Sequence, residues 1–107
     1  MQELKRILVC IDLSEIDKSV ISYASRIADM MGSEKVDFLH VSETNVAASQ
    51  SALEKEVNGI FSSKTPTSVN IQMGKTAESA LSWAGLHRSQ LIILGKKKKT
   101  ESSAKHA

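Results

Sequence analysis

Near its amino terminus the sequence reads ILVCID over residues 7–12, and this stretch decides the fold. Five successive apolar residues, three of them β-branched, end at a carboxylate. A strand that is apolar at every position is buried on both faces, which is typical of a parallel sheet. A second such run, LIIL over residues 91–94, ends at Gly95. We therefore expect these two strands to be neighbours in the middle of a parallel sheet.

The residues between these runs alternate between helical and extended patterns. Residues 36–41 form the second predicted strand. Residues 68–73 alternate polar and apolar side chains, which favours a strand at a sheet edge. Helical patterns follow Ser14, Ser51 and Thr76, and each of these hydroxyl residues is predicted to cap its helix. Gly32 is the predicted carboxyl-terminal cap of the first helix.

Each predicted helix has one apolar stripe that should face the sheet. In the first helix the stripe is Ile16, Val20, Tyr23, Ala24, Ile27, Ala28 and Met31; in the second it is Leu53, Val57, Ile60 and Phe61; in the third it is Ala77, Ala80, Leu81, Trp83 and Ala84.

The element order β-α-β-α-β-α-β predicts right-handed crossovers and an α/β fold with a doubly wound parallel sheet. The expected strand order is 3-2-1-4. Where neighbouring strands send their helices to opposite faces, a crevice opens at the carboxyl ends of the strands. That crevice should lie between Asp12 and Gly95, and a small-molecule site is expected there.

Composition and charge narrow the range of functions. The chain has 107 residues, 41% apolar and 24% charged, which suits one domain over residues 1–95. Residues 96–107 carry five lysines and one glutamate and form a basic tail that we expect to be disordered, while the remainder has a small net negative charge. A folded part without a basic face argues against nucleic-acid binding.

The single cysteine and the absence of long apolar runs indicate the compartment. Cys10 cannot form an intrachain disulfide, and its place in the apolar run predicts a buried core residue. No stretch approaches the ~20 apolar residues of a membrane span. We therefore expect a cytoplasmic protein that has no membrane partner.

Five segments together resemble the universal stress protein family. The opening segment, residues 5–15, is similar to the family's basic residue, aliphatic strand, Asp, any residue, Ser and acid. Ala24 and Ala28 continue the resemblance in the first helix. Three more pieces follow at the family's spacing: residues 38–41 (FLHV), 73–77 (MGKTA) and 91–95 (LIILG).

The resemblance implies an adenine nucleotide α-hydrolase-like fold and, in many members, binding of ATP with Mg²⁺. It implies that Ile11 and Asp12 contact the adenosine part and that Val41 lines the base pocket. Gly95 would begin the phosphate segment, and Lys96 follows it with the other lysines of the run 96–99.

The sequence departs from the family at this phosphate segment. ATP-binding members have Gly, two residues, Gly, nine residues, Gly and then Ser or Thr, whereas position 98 here is Lys and the last glycine would fall beyond residue 107. The family's fourth helix and fifth strand are also missing, so the chain resembles a truncated or divergent member. Because an exposed apolar edge invites pairing, we expect a homodimer through the edge of the fourth strand.

Several alternatives stay open. Asp12 either bonds a ribose hydroxyl or helps hold a metal, or it simply ends a strand. Residues 74–76 (GKT) are similar to the end of a phosphate loop, but the glycine required five positions earlier is Val69, which favours a turn and a helix cap. His40 and His87 have no metal-ligand spacing around them.

Two functions follow: a stress-response domain that binds an adenine nucleotide weakly, or a module that binds no nucleotide and acts by dimerisation or protein contact. Enzymatic activity is uncertain and disfavoured, and no catalytic or metal-binding residue is assigned.

Overall fold

The computed structural model of the protein describes residues 5–12, 14–42 and 50–94. Within these ranges the elements are, in chain order, β1 (Arg6–Cys10), α1 (Asp17–Met31), β2 (Lys35–Ser42), α2 (Gln50–Ile60), β3 (Thr67–Met73), α3 (Thr76–His87) and β4 (Leu91–Leu94). Every predicted strand and helix is present. Residues 95–107, which include Gly95, Lys96 and the predicted basic tail, lie outside the described residues.

The strands form one parallel sheet in the order β3-β2-β1-β4, as predicted. β1 is paired on both sides: Ile7 is level with Val36 of β2 and with Leu91 of β4. At the other end Cys10 is level with Leu94, so β1 and β4 stop at the same height. The α/β doubly wound fold is therefore confirmed.

Alternate residues of β1 supply two separate cores. Ile7 and Val9 pack with α1 and α2 on one face of the sheet, and Leu8 and Cys10 pack with α3 on the other. Since α1 and α2 lie on one face and α3 on the other, the chain changes face between β1 and β4. Each fully buried aliphatic side chain contributes about 1.5–3 kcal/mol to the free energy of folding.

Cys10 is a core residue, as predicted. Its side chain is 4% exposed and forms no disulfide. Burial raises the pKa of the thiol to about 11, because the thiolate would lose its hydration in the core. Cys10 is therefore held as a neutral thiol, and its role is packing.

The buried face of α1 differs from the predicted stripe. Ile21 and Ser25 are buried with Ala24 and Ala28, whereas Tyr23 is 47% exposed. Ser25 is accepted in the core because its hydroxyl donates to the Ile21 carbonyl oxygen and accepts the Ser62 N–H. The predicted stripe included Tyr23 and left out Ile21 and Ser25. Apolar spacing alone did not show which side of the stripe faces the sheet, and it cannot identify a buried polar residue.

The buried face of α3 also differs from the prediction. Leu81 was expected to face inward but is 67% exposed. Ala80 is buried, and Trp83 and Ala84 pack on the core with it. One residue turns a helix by about 100°, which takes Leu81 off this inward face. The Trp83 indole stacks on the His87 ring, with centroids 4.0 Å apart.

A buried charge at the amino end of the sheet is fully compensated. The Asp37 carboxylate is buried in β2 and lies 3.3 Å from Arg6 Nη2 and 3.8 Å from Lys35 Nζ. Arg6 approaches Oδ2, whereas Oδ1, which Lys35 approaches, also accepts the Ser68 hydroxyl of β3 at 2.6 Å. These partners tie the first three strands together where a lone carboxylate would be costly.

The predicted turns and caps have mixed outcomes. Gly32 ends α1 in the left-handed conformation, with φ 61° and ψ 42°, as predicted. Thr76 is the first residue of α3 and not its cap, which is Lys75.

None of the described helices has the length and apolar character needed to cross a membrane.

Two glycines give a matched test of helix stability. Gly59 lies inside α2, and a Cβ placed there would meet no atom within 4 Å. Gly59→Ala should therefore raise the free energy of unfolding by about 0.5–1 kcal/mol. Gly32→Ala should lower it by about 1 kcal/mol, because Gly32 has φ +61°. Urea denaturation followed by circular dichroism measures both, and equal changes in the two variants would contradict this account.

Candidate functional site

The candidate site lies at the carboxyl ends of β1 and β4, where the chain changes face. In open α/β sheets, ligands bind in the crevice outside these strand ends. Ile11 and Asp12 leave β1 at this point, level with the end of β4. Gly95 and Lys96, the other residues predicted for the crevice, follow β4 and lie outside the described residues.

Ile11 continues the sheet beyond β1. Its N–H donates to the Leu39 carbonyl oxygen at 3.0 Å, and its own carbonyl oxygen is 3.0 Å from Nδ1 of His40. Because a carbonyl only accepts, Nδ1 of His40 carries the proton. The Ile11 side chain is 3% exposed and packs with α1 and α2. The end of β1 is therefore held firmly to the end of β2.

The His40 ring is hydrogen-bonded and half-buried, which gives it a structural role at the end of β1. No group of three or more His, Cys, Asp or Glu side chains within the described ranges is arranged to hold a metal ion.

Val41 lies on the opposite face of the sheet from Ile11. Its side chain is 8% exposed and belongs to the α3-side core with Leu8, Cys10 and Leu39. Ile11 and Val41 therefore stand on either side of the sheet at its carboxyl edge. Asp12 follows Ile11 at the same edge.

Asp12 is half-buried and held through both its side chain and its backbone. The Ser14 hydroxyl donates to Asp12 Oδ1 at 2.6 Å, and the Asp12 N–H donates to Oδ1 of Asp17 at 3.3 Å. Ser14 Oγ also accepts the Ile16 N–H at 3.4 Å. These bonds fix the turn from β1 into α1 and orient the Asp12 carboxylate.

Ser14 was predicted to cap α1, and this prediction was wrong. The helix begins at Asp17, its cap position is Ile16, and no side chain makes a cap hydrogen bond there. The Ser14 hydroxyl instead donates to Asp12, and the N–H of Asp17, the first residue of α1, is accepted by the Ser14 carbonyl oxygen at 3.1 Å. The predicted cap is thus part of the candidate site.

Asp17 is the residue of this site that sequence reasoning missed. It is fully buried, although it lies in the first turn of α1. Burial raises the pKa of its carboxyl from 3.8 to about 6; the charges of Glu56 and of Asp12 add to the increase, and the Asp12 N–H opposes it. One sequence signal was available: Asp17 lies four residues before Ile21, on the buried stripe of α1. A carboxylate at a stripe position marks a special environment.

Comparison with known proteins assigns the family. The profile of the Universal stress protein family matches residues 3–60, which include Ile11, Asp12, Asp17 and Val41. The chain belongs to the universal stress protein family. The resemblance carried by the residues 5–15 and 38–41 is therefore confirmed.

Solved structures of low sequence identity share this universal stress protein fold. A protein from Mycobacterium tuberculosis superposes with a TM-score of 0.70 at 12% identity, over 99% of this chain and 82% of the other. The universal stress protein UspA from Lactobacillus plantarum has a TM-score of 0.69 at 16% identity, over 96% and 84%. A universal stress protein in complex with cAMP has a TM-score of 0.70 at 15% identity, over 85% and 71%. A search of curated protein sequences found no match.

The buried carboxyl of Asp17 makes the stability of the fold depend on pH. An unfolded Asp loses its proton near pH 3.8, whereas folded Asp17 keeps it up to about pH 6. The stabilisation from Asp17 is therefore complete below pH 3.8, declines as the pH rises, and is lost above pH 6.

Asp17→Asn should remove this loss. The amide oxygen still accepts the Asp12 N–H, and the amide nitrogen can donate to Glu56 without a charge. We expect the variant to be more stable than the wild type by about 2 kcal/mol at pH 7.5, with a smaller difference at pH 4.5. Thermal unfolding at the two pH values measures this, with the exposed Asp29→Asn on α1 as the control. An equal difference at both pH values would contradict the assignment.

Proposed function

We propose that this universal stress protein domain binds an adenine nucleotide weakly at the crevice between β1 and β4. The Asp12 side chain contacts the adenosine part, as do the main-chain atoms of Ile11 and Val41, whose side chains are buried on opposite faces of the sheet. Gly95 and Lys96 approach the phosphates. The carrying observation is the fixed Asp12 carboxylate: Ser14 holds its oxygen and Asp17 holds its backbone at the chain's change of face. A carboxylate placed there is suited to accept hydrogen bonds from ribose hydroxyls.

The class of ligand is supported by a structural neighbour. A universal stress protein with the same fold was solved in complex with cAMP, an adenine nucleotide that has a single phosphate. A half-site that recognises adenosine and has Lys98 where the family's phosphate segment has a glycine suits such a ligand at least as well as ATP. We therefore propose both nucleotides as probes, with Mg²⁺ present for ATP and no protein ligand assigned to the ion.

The lysines at 96–99 supply the phosphate affinity in this proposal. Lysine is a flexible point charge and gives weaker geometry than a cradle of backbone N–H groups. The attraction should therefore be weak and should fall as ionic strength rises. We also assign the protein to the cytoplasm, where adenine nucleotides are abundant.

A thermal shift experiment tests nucleotide binding. At about 100-fold over its dissociation constant, a ligand that binds only the folded state stabilises it by about 2.7 kcal/mol. ATP with Mg²⁺, cAMP and adenosine should each raise the melting temperature, and only the first two should lose affinity in high salt. Asp12→Ala should abolish the shift, whereas Asp29→Ala, on the exposed face of α1, should retain it. Absence of a shift at millimolar concentrations of all three ligands would rule out the proposal.

We also propose that the protein forms a homodimer through the edge of β4. β4 is a terminal strand of the described sheet, and Leu94 is 58% exposed at its end. An edge strand offers unpaired N–H and C=O groups as well as apolar surface to a second copy. This observation favours the second candidate function, in which the domain acts through dimerisation or protein contact.

Light scattering tests the dimer. The wild type should have the mass of a dimer, and Leu94→Lys should shift it toward the monomer, because a charge at the edge opposes strand pairing. Met30→Lys is the matched control, since Met30 is 75% exposed on α1. A monomeric wild type at high protein concentration would contradict the proposal, as would an equal effect of both substitutions.

A further inference from the structure

Asp17 joins three parts of the molecule through a single buried carboxyl. It begins α1, it accepts the N–H of Asp12 at the end of β1, and it lies near enough to Glu56 of α2 for the two carboxyl groups to influence each other's ionisation. The side chain has no exposed surface. Its second oxygen, Oδ2, receives no hydrogen bond from the described residues. A buried acceptor without a donor is costly, so this arrangement needs an explanation.

Glu56 provides the explanation. Two ionised carboxylates offer only acceptors to each other and repel, but one shared proton turns the same contact into an O–H···O hydrogen bond. When Asp17 is protonated, its hydroxyl donates to Glu56 and the contact between α1 and α2 is satisfied. When Asp17 is ionised, that hydrogen bond is lost and the two charges oppose each other.

The same proton affects the backbone of Asp12. An N–H that donates to an ionised carboxylate makes a charge-assisted hydrogen bond, which is shorter and about twice as strong as one to a neutral acceptor. Loss of the proton from Asp17 therefore strengthens its hold on Asp12 while it weakens the contact with α2. The two contacts respond in opposite directions to one proton.

We propose that Asp17 is a positioning residue for the crevice, and that it couples α2 to the backbone of Asp12 by sharing a proton with Glu56. The part of this inference that concerns ligand affinity rests on the proposed nucleotide binding, whereas the coupling itself does not. Neither Asp17 nor Glu56 needs to touch the ligand, because both act through Asp12.

Burial and two neighbouring carboxyl groups oppose the ionisation of Asp17, whereas one backbone N–H favours it. Glu56 from α2 and the Asp12 carboxylate from the end of β1 both oppose its ionisation, and burial opposes it most strongly. The Asp12 N–H favours ionisation. The resulting pKa of about 6 places the change of state where a modest acidification alters it.

The amide resonance of Asp12 in solution NMR tests the coupling without any ligand. In the wild type it should move as Asp17 ionises, with a midpoint near pH 6 that the Asp17 carboxyl determines. In Asp17→Asn this titration should disappear, whereas the control Asp29→Asn should keep it. An Asp12 amide that does not titrate between pH 4.5 and 7.5, or that titrates unchanged in Asp17→Asn, would overturn the proposal.

Substitution of Glu56 tests the shared proton separately and does not alter the side chain of Asp17. Glu56→Gln removes the opposing charge, so the midpoint of the Asp12 amide should move to lower pH. Glu54→Gln, on the exposed surface of α2, should leave it in place. A midpoint that is the same in Glu56→Gln and in the wild type would overturn the pairing, and this holds even if Asp17→Asn fails to fold.

Ligand affinity gives the final measurement. The probe is cAMP, because its phosphodiester does not change charge between pH 5.0 and 7.5. The wild type should bind it more tightly at pH 7.5 than at pH 5.0, by about fivefold or more, and Asp17→Asn should reduce this ratio toward one. Equal affinity ratios in both proteins would overturn the role of Asp17 in binding. If cAMP fails to bind at any pH, the proposed function is contradicted, while the Asp12 amide still decides the coupling.

Discussion

The pairing of β1 with a strand on each side is the interaction on which the rest of the molecule depends. Its hydrogen bonds to β2 and β4 leave no edge, and its alternating side chains supply both cores. From Ile7 to Ile11 the chain is apolar at every residue, and the first polar position after this run is where it leaves the sheet. That position is Asp12, and the candidate site is therefore a direct result of burying β1.

Most of the fold could be predicted because its signals are local. Two fully apolar runs, one alternating run and three helical patterns establish the element order, and the rules for parallel crossovers then allow few strand orders. The faces of the helices were harder to predict. Leu81 and Tyr23 are apolar but exposed, and Ser25 is polar but buried, because hydrogen bonds to Ile21 and Ser62 satisfy its hydroxyl. Such compensation depends on residues that are distant in the chain, so periodicity does not show it.

The sequence predicted the position of the candidate site but not the residues that hold Asp12 in place. Asp12 was found from its place after an apolar strand, but its partner Ser14 was assigned to a helix cap. Asp17 was missed, because the group that it influences, Glu56, lies on a second helix, and the sequence alone cannot orient two helices. A buried carboxyl that lacks a fixed positive partner is a common sign of function, since stability alone would not retain it.

The two buried aspartates make the free energy of local opening differ between the two ends of the sheet. At the amino end, Asp37 forms ion pairs with Arg6 and Lys35 and a hydrogen bond with Ser68. Opening that end would separate the Asp37 carboxylate from these partners. At the carboxyl end, burial disfavours the ionised form of Asp17, so exposure of this carboxyl to water would remove an unfavourable free energy. Ionisation of Asp17 therefore lowers the free-energy cost of local opening at the end of the sheet that bears the crevice, whereas the ion pairs of Asp37 raise it at the opposite end.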